Sequence, residues 1–293
     1  MRISSQQQYD RYTGDIRRAQ LRYFEAQAEI TTGKRQDLLK NDPAAASTVI
    51  RTSSLKTATT QYDKNLRAAK DYIGNSETAL QETNGLMKKA YELAMRGANT
   101  STDQNARDAM AVEVDQLQKR LAELGNARGA SGQYLFAGQD NETAPFTQTP
   151  PTLTFGGDNN AVRVEVGPNN AATVNTQGSS QFTDAYARLE TLKNSLRGGN
   201  LSAMSGQDIP ALQNSMNSFR VSIGEAGSRM ALVKEYESQN QRRIDEFTTR
   251  IADAEEVDIA EAMVRYQQAE TAYTAAMQVA GQGFKLSLMD FIR

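Results

Sequence analysis

Apolar and small residues recur alternately four and three positions apart through most of this chain, the spacing of helices that bury one narrow stripe each. After Pro43 the series runs Leu55, Thr59, Tyr62, Leu66, Ala69, Ile73, Ser76, Leu80, Thr83, Met87, Ala90 and Ala94. It predicts one helix from Pro43 to Gly97, about 80 Å long at the rise of an α-helix. A second series, Met110, Val114, Leu117, Leu121 and Leu124, stops at the turn-rich NARGASGQ. A third runs Leu212, Met216, Phe219, Ile223, Ala226, Met230 and Val233, passes polar interruptions at Glu237 and Asn240, and resumes at Ile244, Phe247, Ile251 and Ala254. Two long helices of comparable length can lie side by side as an elongated antiparallel rod, with the shorter helix packed along part of it.

Between residues 131 and 181 the period changes. TLTFGG, AVRVEVG with Val162, Val164 and Val166 alternating, and AATVNT are separated by GGDNN and GPNN, which is turn chemistry, and together they predict a small β meander. A short helix is expected from Asp184, carrying Leu189, Leu192 and Leu196 up to Gly198-Gly199-Asn200.

The two ends carry matching stripes. Tyr9, Tyr12, Ile16, Ala19, Tyr23, Ala26 and Ile30 lie three and four apart and predict one amphipathic helix that stops at Gly33 as a left-handed cap. Gly33-Lys34 also ends a phosphate-binding loop, but that motif needs a glycine five residues earlier and a Ser or Thr afterwards. Those positions hold Ala28 and Arg35, so the stretch reads as a joint: helix stop, short loop, then Asn41 or Asp42 as a cap with Pro43 in the next first turn. At the other end the third stripe would continue at Asp258 and Glu261. The apolar residues instead jump one place to Ile259, Ala262, Met263, Tyr266, Ala269, Tyr273, Ala276, Met277, Ala280, Phe284 and Phe291. A one-residue jump turns a stripe by about 100° toward a different partner.

The expected organisation is therefore mainly α: an N-terminal core helix over 1–33, rod helices over 34–130, an inserted β-rich domain with its short helix over 131–206, a rod helix over 207–258 and a C-terminal core helix over 259–293. The two terminal helices, nearly equal in length, pair antiparallel outside the rod. Their stripes are diluted by Ala and Gln, so they are expected to order fully only when other copies pack around them. Aromatic and β-branched positions on narrow stripes bury the most area, which makes Tyr9, Ile16, Tyr23, Ile30, Ile259, Tyr266, Tyr273, Phe284 and Phe291 the candidate assembly interface and Gly33, Asp42 and Pro43 the helix joint.

Composition narrows the function. The chain has 293 residues, 39% hydrophobic and 7% aromatic with no Trp, lean for a compact enzyme and adequate for narrow seams. It contains no histidine and no cysteine, which removes His- and Cys-based catalysis, the usual zinc sites and disulfides. No carboxylate pair sits in a pocket-like context, so no catalytic, cofactor-binding or metal-binding residue is expected. A net charge of −2 with both signs interspersed leaves no basic footprint for nucleic acid. MRISSQQQYDRY has no apolar signal-peptide core and no segment reaches the length of a membrane span, so a cytosolic place is expected by default unless export uses another route.

MRISSQQQYDRY, ITTGKRQDLLKNDPAAA, GASGQYLFAGQDNETAPF, IGEAGSRMALV and VDIAEAMVRYQQAETAYTAAMQVAGQGFKLSLMDFI together resemble the flagellar hook-associated protein 3 family, flagellin-like proteins of the hook-filament junction. The likeness covers both ends and the start of the β module, about half the chain. Asn41-Asp42 stands where the family often has two acidic residues. The resemblance implies a structural subunit with terminal helices in an inner tube. It also implies self-association in an axial ring, contact with the first hook-filament junction protein and with flagellin, and an export chaperone at the C-terminal region. An extracellular place on the flagellum, reached unfolded through the flagellar type III system without a cleaved signal peptide, follows from it too. Two alternatives stand beside it: flagellin itself, and a non-flagellar coiled-coil scaffold or secreted protein.

Overall fold

The computed structural model describes residues 5–35 and 42–291, with side chains described at 7, 9–35 and 42–283. The fold is mainly α, as the stripes predict. Helices α1 (Ser5–Thr32), α2 (Pro43–Gly97) and α3 (Gln104–Gly125) precede strands β1 (Phe146–Thr149), β2 (Thr152–Phe155), β3 (Arg163–Gly167) and β4 (Asn170–Thr173). Helices α4 (Ser179–Arg197), α5 (Ile209–Glu255) and α6 (Ile259–Phe291) follow, with a helical turn Leu201–Ala203 and a π turn Met204–Asp208 leading into α5. The chain divides into two units, Met1–Thr57 with Ile244–Arg293 and Ala58–Arg243.

The Ala58–Arg243 unit has one continuous core. It takes Leu66, Ile73, Leu80 and Met87 from α2, Val114 and Leu121 from α3, Leu189 and Leu192 from α4, and Leu212, Phe219 and Val233 from α5. Polar seam positions on α2 survive burial because each satisfies itself within the helix: Ser76 donates to the Tyr72 carbonyl at 2.9 Å and Thr83 to the Ala79 carbonyl at 2.7 Å. The polar interruptions of α5 are anchors. Asn240 donates to the Val166 carbonyl at 3.1 Å, and Glu237 takes Lys70 at 3.2 Å. Between α3 and α4, burial works against charge on Lys193 and Glu190, yet their 2.6 Å ion pair outweighs it, raising the lysine and, with a hydrogen bond from Gln118, lowering the carboxyl.

The β region is two separate antiparallel hairpins, β1–β2 and β3–β4, and not the single meander expected. The chain between them spends its polar groups elsewhere. Asp158 accepts from the backbone N–H of Gln139 and Asn160 at 2.8 and 3.0 Å, and the Asn175 side chain bridges Val162 N–H and the Asn160 carbonyl. The hairpins add to the helical core. The Phe182 ring of α4 sits 5.0 Å from Phe136, 5.3 Å from Phe146 of β1 and 5.5 Å from Phe219 of α5, measured between centroids. Phe182 and Ala185 are also why α4 starts at Ser179, earlier than the leucine spacing alone suggested.

Two expectations fail in the other unit. Leu55 lies 44% exposed on α2, although the spacing placed it in the seam. The change of stripe after Glu255 is a break between two helices. Asp258 starts α6 by accepting the Ala260 N–H at 2.8 Å, so the jump of one residue marks a cap.

Phe182→Ala removes the ring shared by α4, β1 and α5 and is expected to cost about 3–5 kcal/mol in urea unfolding. Asp208 gives a pH-dependent counterpart. It is 3% exposed with Oδ2 lacking a partner, and burial raises its carboxyl above the ordinary range despite a hydrogen bond from Ser195. A raised folded pKa means stability that is full below the unfolded value and is lost as pH rises through the folded value. Asp208→Asn, neutral throughout, is expected to raise stability by roughly 1 kcal/mol at pH 7 and to lose that advantage near pH 4, as read by thermal melts across pH.

Candidate assembly surface

Helices α1 and α6 pack along each other. Small side chains line much of the contact: α6 turns Ala262, Ala269, Ala276 and Ala280 inward, seven, seven and four apart, with Tyr266 and Tyr273 at the positions between, while α1 supplies Ala26. Tyr23 lies at the middle. Its ring centroid is 5.3 Å from Tyr266 and 5.7 Å from Tyr273, nearly parallel to the latter, and its hydroxyl is 3.1 Å from the Tyr266 hydroxyl. The Tyr266 phenol is pushed up to about 12, first by that hydrogen bond and then by burial. Glu29, itself buried, takes Arg265 at 3.1 Å. A side chain at Gly283 would meet the Tyr12 ring at 2.7 Å, so glycine lets the two helices stay in contact toward the far end. These contacts pair rising numbers on α1 with falling numbers on α6, which makes the pair antiparallel.

The joint closes one end of the pair. Gly33 adopts φ +68°, the left-handed conformation that glycine enters without a Cβ penalty, and its N–H returns to the Glu29 carbonyl at 2.8 Å. The chain beyond it pairs as a short bridge with the link between α5 and α6. Arg35 N–H donates to the Glu255 carbonyl at 2.8 Å, Val257 N–H donates to the Gly33 carbonyl at 3.0 Å, and Lys34 reaches the Glu255 carboxylate at 2.6 Å. Asp42 accepts the Ala45 N–H at 2.9 Å, with Pro43 first in α2. Asn41 lies outside the described residues.

The candidate interface residues separate into groups. Tyr23, Tyr266 and Tyr273 meet inside the pair, Ile30 lines one of its flanks with Met263 and Tyr266, and Ile16 is half-buried. Tyr9 and Ile259 stand 55% and 50% exposed. Phe284 and Phe291 lie outside the described side chains. Beyond the candidates, Leu21, Phe24, Met263, Val264, Met277 and Val279 also leave large apolar side chains in solvent, all on these two helices. The sequence reading missed the Glu29–Arg265 pair, which lies off the apolar stripe. It also took the alanine row as dilution where it sets the helix spacing. The seven-residue recurrence of Ala262, Ala269 and Ala276 was the signal available.

Among the described residues, no helix is long and apolar enough to cross a membrane. A family model of the bacterial flagellin N-terminal helical region matches residues 3–141. Flagellar hook-associated protein 3 of Escherichia coli strain K12 is 22% identical over 94% of this chain and 95% of that protein. Its namesake in Salmonella typhimurium is 24% identical over 83% of this chain and 84% of that protein. The crystal structure of Bacillus cereus FlgL shares the fold, with a TM-score of 0.60 and 20% identity over 69% of this chain and 99% of that one. Residues 3–141 thus match a bacterial flagellin N-terminal helical region, and along nearly its whole length the chain is similar to flagellar hook-associated protein 3.

Proposed function

We propose that this chain joins hook to filament and that the α1–α6 pair is its assembly element. Copies self-associate in an axial ring whose two sides meet the first hook-filament junction protein and flagellin. Before that, an export chaperone holds the C-terminal region, and the chain leaves the cell unfolded through the flagellar type III apparatus. Its work is structural, without a cofactor.

The observation that carries this reading is the mismatch between the stripes and the seam. The alanine-lined seam covers one narrow face of each terminal helix, whereas Leu21, Phe24, Ile259, Met263, Met277 and Val279 remain exposed around it. Exposed apolar side chains concentrated on two paired helices mark an interaction site. The candidate set Tyr9, Ile16, Tyr23, Ile30, Ile259, Tyr266, Tyr273, Phe284 and Phe291 supplies both the seam and part of what neighbouring copies cover.

Deleting the gene in the source bacterium is expected to give non-motile cells that keep hooks and shed unassembled flagellin into the medium. Loss of flagellin from cells and medium alike would make the chain the filament subunit instead. Unchanged swimming would refute the flagellar assignment. In the complemented strain, Tyr266→Asp breaks the stacked tyrosines. It is expected to leave the Ala58–Arg243 unit folded by circular dichroism while abolishing filaments, and normal filaments would remove the pair from assembly.

A further inference from the structure

Two hollows lie on the α1–α6 pair, and they share no residue. The first, about 390 Å³, has Ala26, Ala269 and Ala272 in its lining together with Arg22, Glu25, Glu29 and Arg265. The second, about 370 Å³, is lined by Gln27, Ile30, Thr31, Met263, Tyr266, Gln267 and Glu270. At about 100° per residue, Arg22 and Glu29 fall on one side of Ala26 and Gln27 and Ile30 on the other, so the hollows occupy opposite flanks. The flanks differ in chemistry. One is cut back to alanines inside a charged rim, and the other projects Met263, 48% exposed, with Glu270 as its single charged lining residue.

Arg22 and Glu270 carry the matching signal. Both are exposed, and among the described residues neither forms an ion pair within the chain, whereas Arg265 on the first flank is tied to Glu29. They also stand at the same level of the pair, since Tyr23 contacts Tyr266 and Tyr273 on either side of Glu270. One copy's Glu270 can face the next copy's Arg22 without sliding the pairs past each other.

We infer that the contact between copies is head to tail, with the Met263–Glu270 flank of one copy seated in the alanine-lined hollow of the next and Glu270 placed against Arg22. Area supports this arrangement. One flank of a helix pair this long presents about 400 Å², from its length and the diameter of a helix, about half of what each partner in a stable complex buries. A two-copy contact is thus weak, whereas a copy using both flanks reaches the full area. Contacts between unlike surfaces propagate, and close into a ring when the rotation permits. The inference rests on the proposed role of the pair and adds which surface meets which.

The test is a charge exchange in the full-length chain, expressed in the deletion strain and read as filaments per cell. Arg22→Glu and Glu270→Arg are each expected to lower filament number about tenfold, because like charges then face each other. The double variant Arg22→Glu with Glu270→Arg is expected to return to within about threefold of the unmodified chain. Single variants without effect, or a double variant no better than the singles, would overturn the head-to-tail contact. Tyr266→Asp separates the two levels. If it abolishes filaments while the charge variants do nothing, the pair still assembles but through other surfaces, and if it too is inert, the role of the pair falls with the inference.

Discussion

Close packing of α1 on α6 is the constraint on which the account of this molecule depends. Alanines and a glycine line much of that contact, with three tyrosines at its centre. The same choice that brings the backbones together limits what they bury, since alanine removes little apolar surface from water. A pair of this kind holds its register through the Tyr23 contacts and the Glu29–Arg265 bridge, and leaves its larger aliphatic side chains on the flanks. The stabilisation missing inside the chain is available from outside it.

The Ala58–Arg243 unit solves the opposite problem. Its core is filled by leucines, methionine and a cluster of phenylalanines around Phe182, and its buried Ser76, Thr83 and Asn240 are matched to nearby carbonyls. Interlocked rings of that size dominate the packing of this core. The joint made by Gly33, Lys34, Arg35 and Glu255 belongs to the first unit and fixes where its two helices end, because each break pairs its backbone with the other.

Much of this was legible in the residues. The four-and-three stripes located every long helix, and the residues around Gly33 and Pro43 carry the capping chemistry of a joint. What escaped reading was long-range. Periodicity reports that a face is buried but not by what, so the alanine row read as dilution and the off-stripe Glu29–Arg265 pair was invisible. Leu55 satisfies the spacing but lies in solvent. The two hairpins looked like one meander because strand signals are local, whereas the link between them is held by long-range hydrogen bonds of Asp158 and Asn175. The break at Asp258 read as a phase shift, since a cap and a jump of one residue leave the same trace in an apolar pattern.

The central claim is that the terminal pair completes its stabilisation between copies, and amide hydrogen exchange measured on the same chain as monomer and in the assembled axial structure tests it most directly. Rapid exchange is expected through the helical amides around Tyr23 and Tyr266 in the monomer, slowed about a hundredfold or more on assembly, with the core amides of Ala58–Arg243 unchanged. Equal and strong protection of the pair in both states would contradict it.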